Sequence, residues 1–197
     1  MKRIAVYCGA SDGINPIYVE AAKHLGRWLV KNDCDLVYGG GQFGLMGTIA
    51  REVLKNGGKV YGILPKELAS RGAALDTITD LKIVDNMSIR KRMMFDMSDA
   101  FIALPGGPGT LEEISEVYSW SIIGDNDRPC VLYNVNHYYD PLKAMYDQMS
   151  QQSFLTNQAR QKLLFSSSLT EIGDFMQNYV PPKVRTYPQP EPKNDAM

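Results

Sequence analysis

AFIALPGGPGTLEEISEVYSWSII, residues 100–123, changes its backbone character within a few residues. Residues 100–104 form an unbroken apolar run, the signature of a strand buried on both faces. Pro105, Gly106, Gly107, Pro108 and Gly109 then break the pattern, and residues 110–123 read as a helix. A strand that turns through glycine into a helix is one half of a βαβ unit.

The same alternation runs through the chain. Strands are expected at 3–8, 35–41, 59–64, 81–84 and 129–134. Helices are expected at 16–32, 44–56, 88–98, 138–152 and 169–179, with an irregular stretch over 65–80. Strands alternating with helices imply an α/β fold: a mostly parallel sheet with helices on both faces. Ligands of such sheets bind beyond the carboxyl ends of the strands, where both glycine-rich loops of this chain lie. Residues 1–180 are read as one domain and the proline-rich 181–197 as a disordered or surface-draped tail.

Composition narrows the function classes. A net charge of −1 gives no electrostatic case for nucleic acid or a membrane surface. No apolar run is long enough to span a bilayer, and the N-terminus reads as a first strand rather than a signal peptide. Cys8, Cys34 and Cys130 lack metal-ligand spacing and are expected to be buried, reduced thiols in a cytoplasmic protein. No His/Cys metal spacing is present, and neither His24 nor His137 has a nucleophile partner.

Three elements carry chemistry. The loop 38–47 contains G-x-G-x-x-G in Gly39, Gly41 and Gly44. It follows the second strand rather than the first, which weighs against a dinucleotide site; a tight turn or a nucleotide contact fits the same spacing. The second element is the turn at 105–110. Gly106, Gly107 and Gly109 leave the backbone open to a ligand, and free amides at a helix start favour an anion by about 0.3–1 kcal/mol. A competing reading makes Thr110 and Glu113 a capping box, with no ligand at all. The third is NMSIRKRMMFDM, residues 86–97. It puts Arg90 on one helical face with Met94 and Met97, and a buried arginine needs an anionic partner.

The acidic side chains after the turn need a reason. Glu113 lies one turn beyond Thr110, about 4.5 Å along the axis, and Glu116 follows on nearly the same face. A carboxylate beside a phosphate costs several kcal/mol at an effective dielectric of about 20. One sugar away from the phosphate, it instead faces the oxocarbenium-like carbon formed when an N-glycosidic bond breaks.

With PGGPGTLEE (PGGxGTxxE), the RKxxM pattern that begins at Arg90, GGGQFGLMG, DAFIALPGG and NVNHYY together, the sequence resembles the Lonely Guy (LOG) family of cytokinin-activating phosphoribohydrolases from about residue 3 to 179. The resemblance implies a Rossmann-like doubly wound fold and a homodimer with its site near the subunit interface. It implies hydrolysis of cytokinin riboside 5′-monophosphates, with AMP a rival substrate, to free base and ribose 5-phosphate. It implies no metal or redox cofactor. Carried over, Arg90 and Glu113 are the catalytic pair. Gly107, Gly109 and Thr110 hold the phosphate, and Lys91 and Glu112 line the site. Gly41, Gly44, Gly106, Glu116 and Ser119 complete the expected substrate-binding set. The lysine decarboxylase label given to some relatives fits poorly, because nothing in the sequence suggests a cofactor site for that chemistry.

The chain departs from the family at Pro108, Ser88, Gly72 and Ser119, which leaves base selectivity open. Two other classes stay in view. One is a non-catalytic nucleotide or molybdenum-cofactor carrier on the same fold, which has no use for an Arg90–Glu113 pair. The other is a dinucleotide-dependent oxidoreductase.

Overall fold

The first strand, β1 (Arg3–Tyr7), divides its side chains between two cores: Ile4 and Val6 on one side of the sheet, Ala5 and Tyr7 on the other. This alternation with both faces buried is what a central parallel strand requires. A computed structural model describes residues 1–186.

From β1 the chain runs through α1 (Ile17–Lys31), β2 (Asp35–Tyr38), α2 (Gly44–Lys55), β3 (Val60–Pro65), α3 (Lys66–Ser70) and β4 (Asp80–Val84). It continues with α4 (Met87–Asp96), β5 (Ala100–Ala103), α5 (Pro108–Ile123), β6 (Cys130–Tyr133), α6 (Asp140–Gln151), α7 (Asn157–Arg160), β7 (Leu163–Ser166) and α8 (Leu169–Gln177). The seven strands pair in the order β4-β3-β2-β1-β5-β6-β7, each pair parallel. This is the expected Rossmann-like α/β architecture. The α1, α2 and α8 side chains pack on one face, and those of α4, α5, α6 and α7 on the other.

The winding direction reverses between β1 and β5, whose register pairs Tyr7 with Ala103. The loops that leave these two strands diverge to opposite faces of the sheet and open a crevice between them. The β2 loop borders the same crevice. There the irregular stretch after α3 pairs with the glycine loop, through Gln42 N–H to Ala73 C=O (2.8 Å) and Leu75 N–H to Gly40 C=O (3.0 Å).

Several elements differ from those expected: β2 ends at Tyr38 rather than at 41, and α3, α7 and β7 form where no helix or strand was expected. α5 starts at Pro108, with Gly107 as its N-cap, so Thr110 sits two residues inside and makes no capping hydrogen bond. Proline at the first helical position lacks only an N–H that would be unpaired there anyway, and this preference outweighs the capping-box spacing. The strand β7 is a four-residue edge strand that the serine run after it conceals. Beyond α8, Arg185 N–H donates to Ile122 C=O and Val184 covers Gly124, so residues 184 and 185 lie against the end of α5. The rest of the expected tail, 187–197, lies outside the described residues. Cys8, Cys34 and Cys130 are free and buried. Burial pushes the Cys130 thiol up to about 12.

Candidate active site

The turn after β5 exposes donors without acceptors. Leu111 N–H bonds Gly107 C=O, the first such bond of α5. The N–H groups of Gly106, Gly107, Gly109 and Thr110 find no acceptor among the described residues, and Pro108 has none to offer. Donors without partners at a helix start are the elements of an anion site.

The glycines here have two different jobs. A Cβ on Gly106 would meet Thr110 Oγ1 at 2.2 Å, so that glycine is needed for the turn to close. A Cβ on Gly107 or Gly109 would meet nothing within 4 Å. Neither has a positive φ. The fold requires glycine at neither position, and the open space they leave is in the cleft.

Arg90 reaches this cleft from α4. Asn86 caps the helix by accepting Ile89 N–H (3.0 Å), which fixes its start and the direction in which Arg90 points. The arginine is 8% exposed. Its Nε donates to Ile63 C=O at 3.2 Å, and its Nη1 lies 3.1 Å from Glu113 Oε1. That approach is off the hydrogen-bond direction, and Glu113 Oε1 accepts no hydrogen bond from any described group. Burial holds the Glu113 carboxyl above its ordinary range, and the Arg90 guanidinium opposes that shift. The pair is therefore a buried charge couple with unused acceptor capacity on the carboxylate.

Gly39 makes room for it. A Cβ at that position would lie 2.1 Å from Arg90 Nη2. Gly39→Ala is therefore expected to push the guanidinium away from Glu113 and to lower kcat about 10- to 100-fold, as a misplacement on the scale of an ångström does. Steady-state turnover, with thermal unfolding as the control for folding, measures it.

At the edge of the cleft a second charge group ties the same two helices. Lys91 Nζ donates to Glu112 and, at 3.0 Å, to Glu116. These bonds, the one to Glu112 foremost, raise the Lys91 ammonium above its ordinary range and keep it charged. Of the expected binding residues, Gly41, Gly107, Gly109, Thr110 and Glu112 line the cleft with the catalytic pair. Lys91 and Glu116 brace α4 against α5 beside it instead. Ser119 is exposed, with its hydroxyl spent on Glu116 C=O (2.7 Å). Gly44 packs in the left-handed region (φ 60°) where a Cβ would meet the Ala10 backbone at 2.3 Å, so its role is a close crossing of two loops.

The cleft has a volume of about 360 Å³. Phe43, Met46, Leu64, Leu68, Ala73 and Met87 give it an apolar wall that the sequence reading did not identify. Phe43 carries a sequence signal, an aromatic inside a glycine loop, and the structure leaves it exposed. A larger hollow of about 740 Å³, bounded by Met1, Trp28, Cys34 and Met176, lies at the amino ends of the strands, away from both glycine loops and the buried pair. Among the described residues no group of three or more His, Cys, Asp or Glu is placed to hold a metal.

The family model described as "Possible lysine decarboxylase" matches residues 46–176. The Arabidopsis thaliana cytokinin riboside 5′-monophosphate phosphoribohydrolase LOG1 is 43% identical over 180 residues, covering 91% of this chain and 84% of that protein. A probable enzyme of the same name from Oryza sativa subsp. japonica, LOGL2, is 42% identical over 180 residues, covering 91% of this chain and 74% of that one. Among solved structures, the molybdenum cofactor carrier protein of Chlamydomonas reinhardtii superposes with a TM-score of 0.68 at 17% identity, over 89% of this chain and 96% of that one. The molybdenum cofactor binding protein of Rippkaea orientalis gives 0.65 at 21% identity, over 89% and 95%. Likeness at that identity establishes the shared fold and nothing further. Identity above 40% along nine tenths of the sequence establishes more: the chain belongs to the LOG family.

Proposed function

We propose that this protein hydrolyses the N-glycosidic bond of cytokinin riboside 5′-monophosphates, releasing free base and ribose 5-phosphate. One observation carries the proposal: a buried carboxylate with unused acceptor capacity, held beside Arg90, one helical turn above a row of free amides. Names of relatives with more than 40% identity point the same way.

In this reading the amides of Gly107, Gly109 and Thr110 take the 5′-phosphate; Pro108, within the same turn, cannot contribute. Glu113 then faces the anomeric carbon. As the C1′–N bond lengthens, its electron pair leaves with the base and positive charge builds on the sugar. The carboxylate stabilises that charge and orients a water, whose oxygen bonds to C1′. The proton lost by the water balances the one the base takes up. Arg90 fixes Glu113 and anchors the ligand. Its guanidinium is no general acid, since arginine does not give up its proton in proteins.

The apolar wall of Phe43, Met46, Leu64, Leu68 and Met87 suits a base with a hydrocarbon substituent better than plain adenine. A homodimer belongs to the same proposal: Met87 and Ile89 of α4 and Leu111 of α5 leave apolar side chains exposed on neighbouring helices. So does a cytoplasmic location, supported by three free buried thiols. A carrier gains nothing from burying an acid beside an arginine, since the couple costs desolvation energy.

Incubating the protein with AMP and with isopentenyladenosine monophosphate tests the reading. Equimolar base and ribose 5-phosphate are expected, formed faster from the prenylated nucleotide. Binding of either nucleotide with no sugar phosphate released would establish a carrier instead.

A further inference from the structure

The carbonyls just before the free amides of the β5–α5 turn are all hydrogen-bonded to the scaffold. Leu104 C=O accepts from Tyr139 Oη at 2.7 Å, Pro105 C=O from Gly9 N–H at 3.1 Å, and Gly106 C=O from Tyr138 Oη at 2.6 Å. Three consecutive carbonyls are held by the scaffold, and the donors that follow are left for a ligand.

The bond to Gly106 matters most. A trans peptide unit is planar, with its C=O and N–H pointing in opposite directions, and no peptide among the described residues is cis. The carbonyl of Gly106 and the N–H of Gly107 belong to one such unit. Tying that carbonyl to Tyr138 aims the Gly107 N–H away from the tyrosine. Gly107 also lines the cleft that holds Arg90 and Glu113. A peptide flanked by two glycines otherwise flips at little cost, because no Cβ restrains either side. A Gly–Gly peptide thus sits where direction decides whether a phosphate meets a donor or an acceptor.

Tyr138 is itself held. Its ring meets Tyr18 and Tyr139 edge to face, with centroids 5.7 Å and 5.0 Å away. The turn before it is fixed in turn: Asn136 lies in the left-handed region at φ 50°, and Asn134 Oδ1 accepts Tyr139 N–H at 2.7 Å. The NVNHYY segment thus delivers two hydroxyls to two carbonyls of one loop.

We infer that Tyr138 is a positioning residue for the phosphate site: its hydroxyl sets the Gly106–Gly107 peptide so that the Gly107 amide faces the 5′-phosphate. This rests on the phosphate-binding reading above but not on catalysis. Tyr139 makes the same kind of bond but is buried, so removing its hydroxyl would leave the Leu104 carbonyl unpaired in the interior. Tyr138 is 41% exposed, and water can replace its hydroxyl at the carbonyl without restoring the direction of the peptide.

The test is Tyr138→Phe in the full chain, which keeps the ring and its aromatic contacts. The intact protein is titrated with ribose 5-phosphate and, separately, with adenine, because neither product is consumed during the measurement. Ribose 5-phosphate affinity is expected to fall about three- to tenfold, the range of one net hydrogen bond, with adenine affinity and the thermal midpoint unchanged. Unchanged ribose 5-phosphate affinity overturns the inference. Equal losses for both ligands also overturn it, because they would mean that the hydroxyl acts through general packing. A wild type that binds ribose 5-phosphate but cleaves no nucleotide overturns the hydrolase reading and leaves this one standing.

Discussion

Glu113→Gln is expected to lower kcat about 10³-fold while substrate affinity stays within a few-fold of wild type. Glutamine has nearly the same shape and keeps an oxygen toward Arg90, so the cleft and the amide row are preserved. It removes the negative charge that faces the developing cation, an interaction stronger in the transition state than in the ground state. The neutral side chain removes the desolvation cost of a buried carboxylate but leaves the Arg90 guanidinium without its anionic partner, so thermal unfolding is measured beside turnover as the control for folding. Single-turnover release of base, set beside binding of a nucleoside monophosphate, separates the two effects. A variant that turns over normally would remove Glu113 from the chemistry.

The second large effect is expected from a site where the fold has nothing to lose. At Gly107 an added Cβ meets no atom within 4 Å, and φ is −89°, a value any residue adopts. Gly107→Val should therefore fold, losing about 1 kcal/mol from a poorer N-cap. The same branched side chain stands over the amides of the turn. Losing one or two charge-assisted hydrogen bonds there, worth about 1.5–3 kcal/mol each, raises KM about 100-fold or more. Denaturation and kinetics on one preparation check both halves. A large loss of stability, or an unchanged KM, would mean that the open space at this glycine is not the phosphate site.

The central strands and their order of appearance were legible because each is a short apolar run punctuated by glycine or proline, and such runs are fixed locally. The anomaly at Arg90 was legible for the same reason: an arginine four residues before Met94 shares the face of a fully buried side chain. What was hidden depends on distant partners. The apolar wall of the cleft draws on the loop after β2, on β3, on α3 and its following turn, and on the start of α4, and no window of sequence contains them together. Glu116 and Lys91 read as site residues until α4 and α5 are laid side by side. Thr110 and Glu113 matched one motif by spacing while the neighbouring proline obeyed another. Only the backbone reveals which local preference governs the helix start.

Gly39 has a consequence beyond making space. With no side chain there, the guanidinium of Arg90 lies against bare main chain at the end of β2, while its Nε is tethered to a carbonyl of β3. Its address is written in two central strands, the part of the molecule least free to drift. Substitutions scattered over the helices and loops can then accumulate, and reshape which base is admitted, while the charged reference point of the reaction stays where the sheet put it.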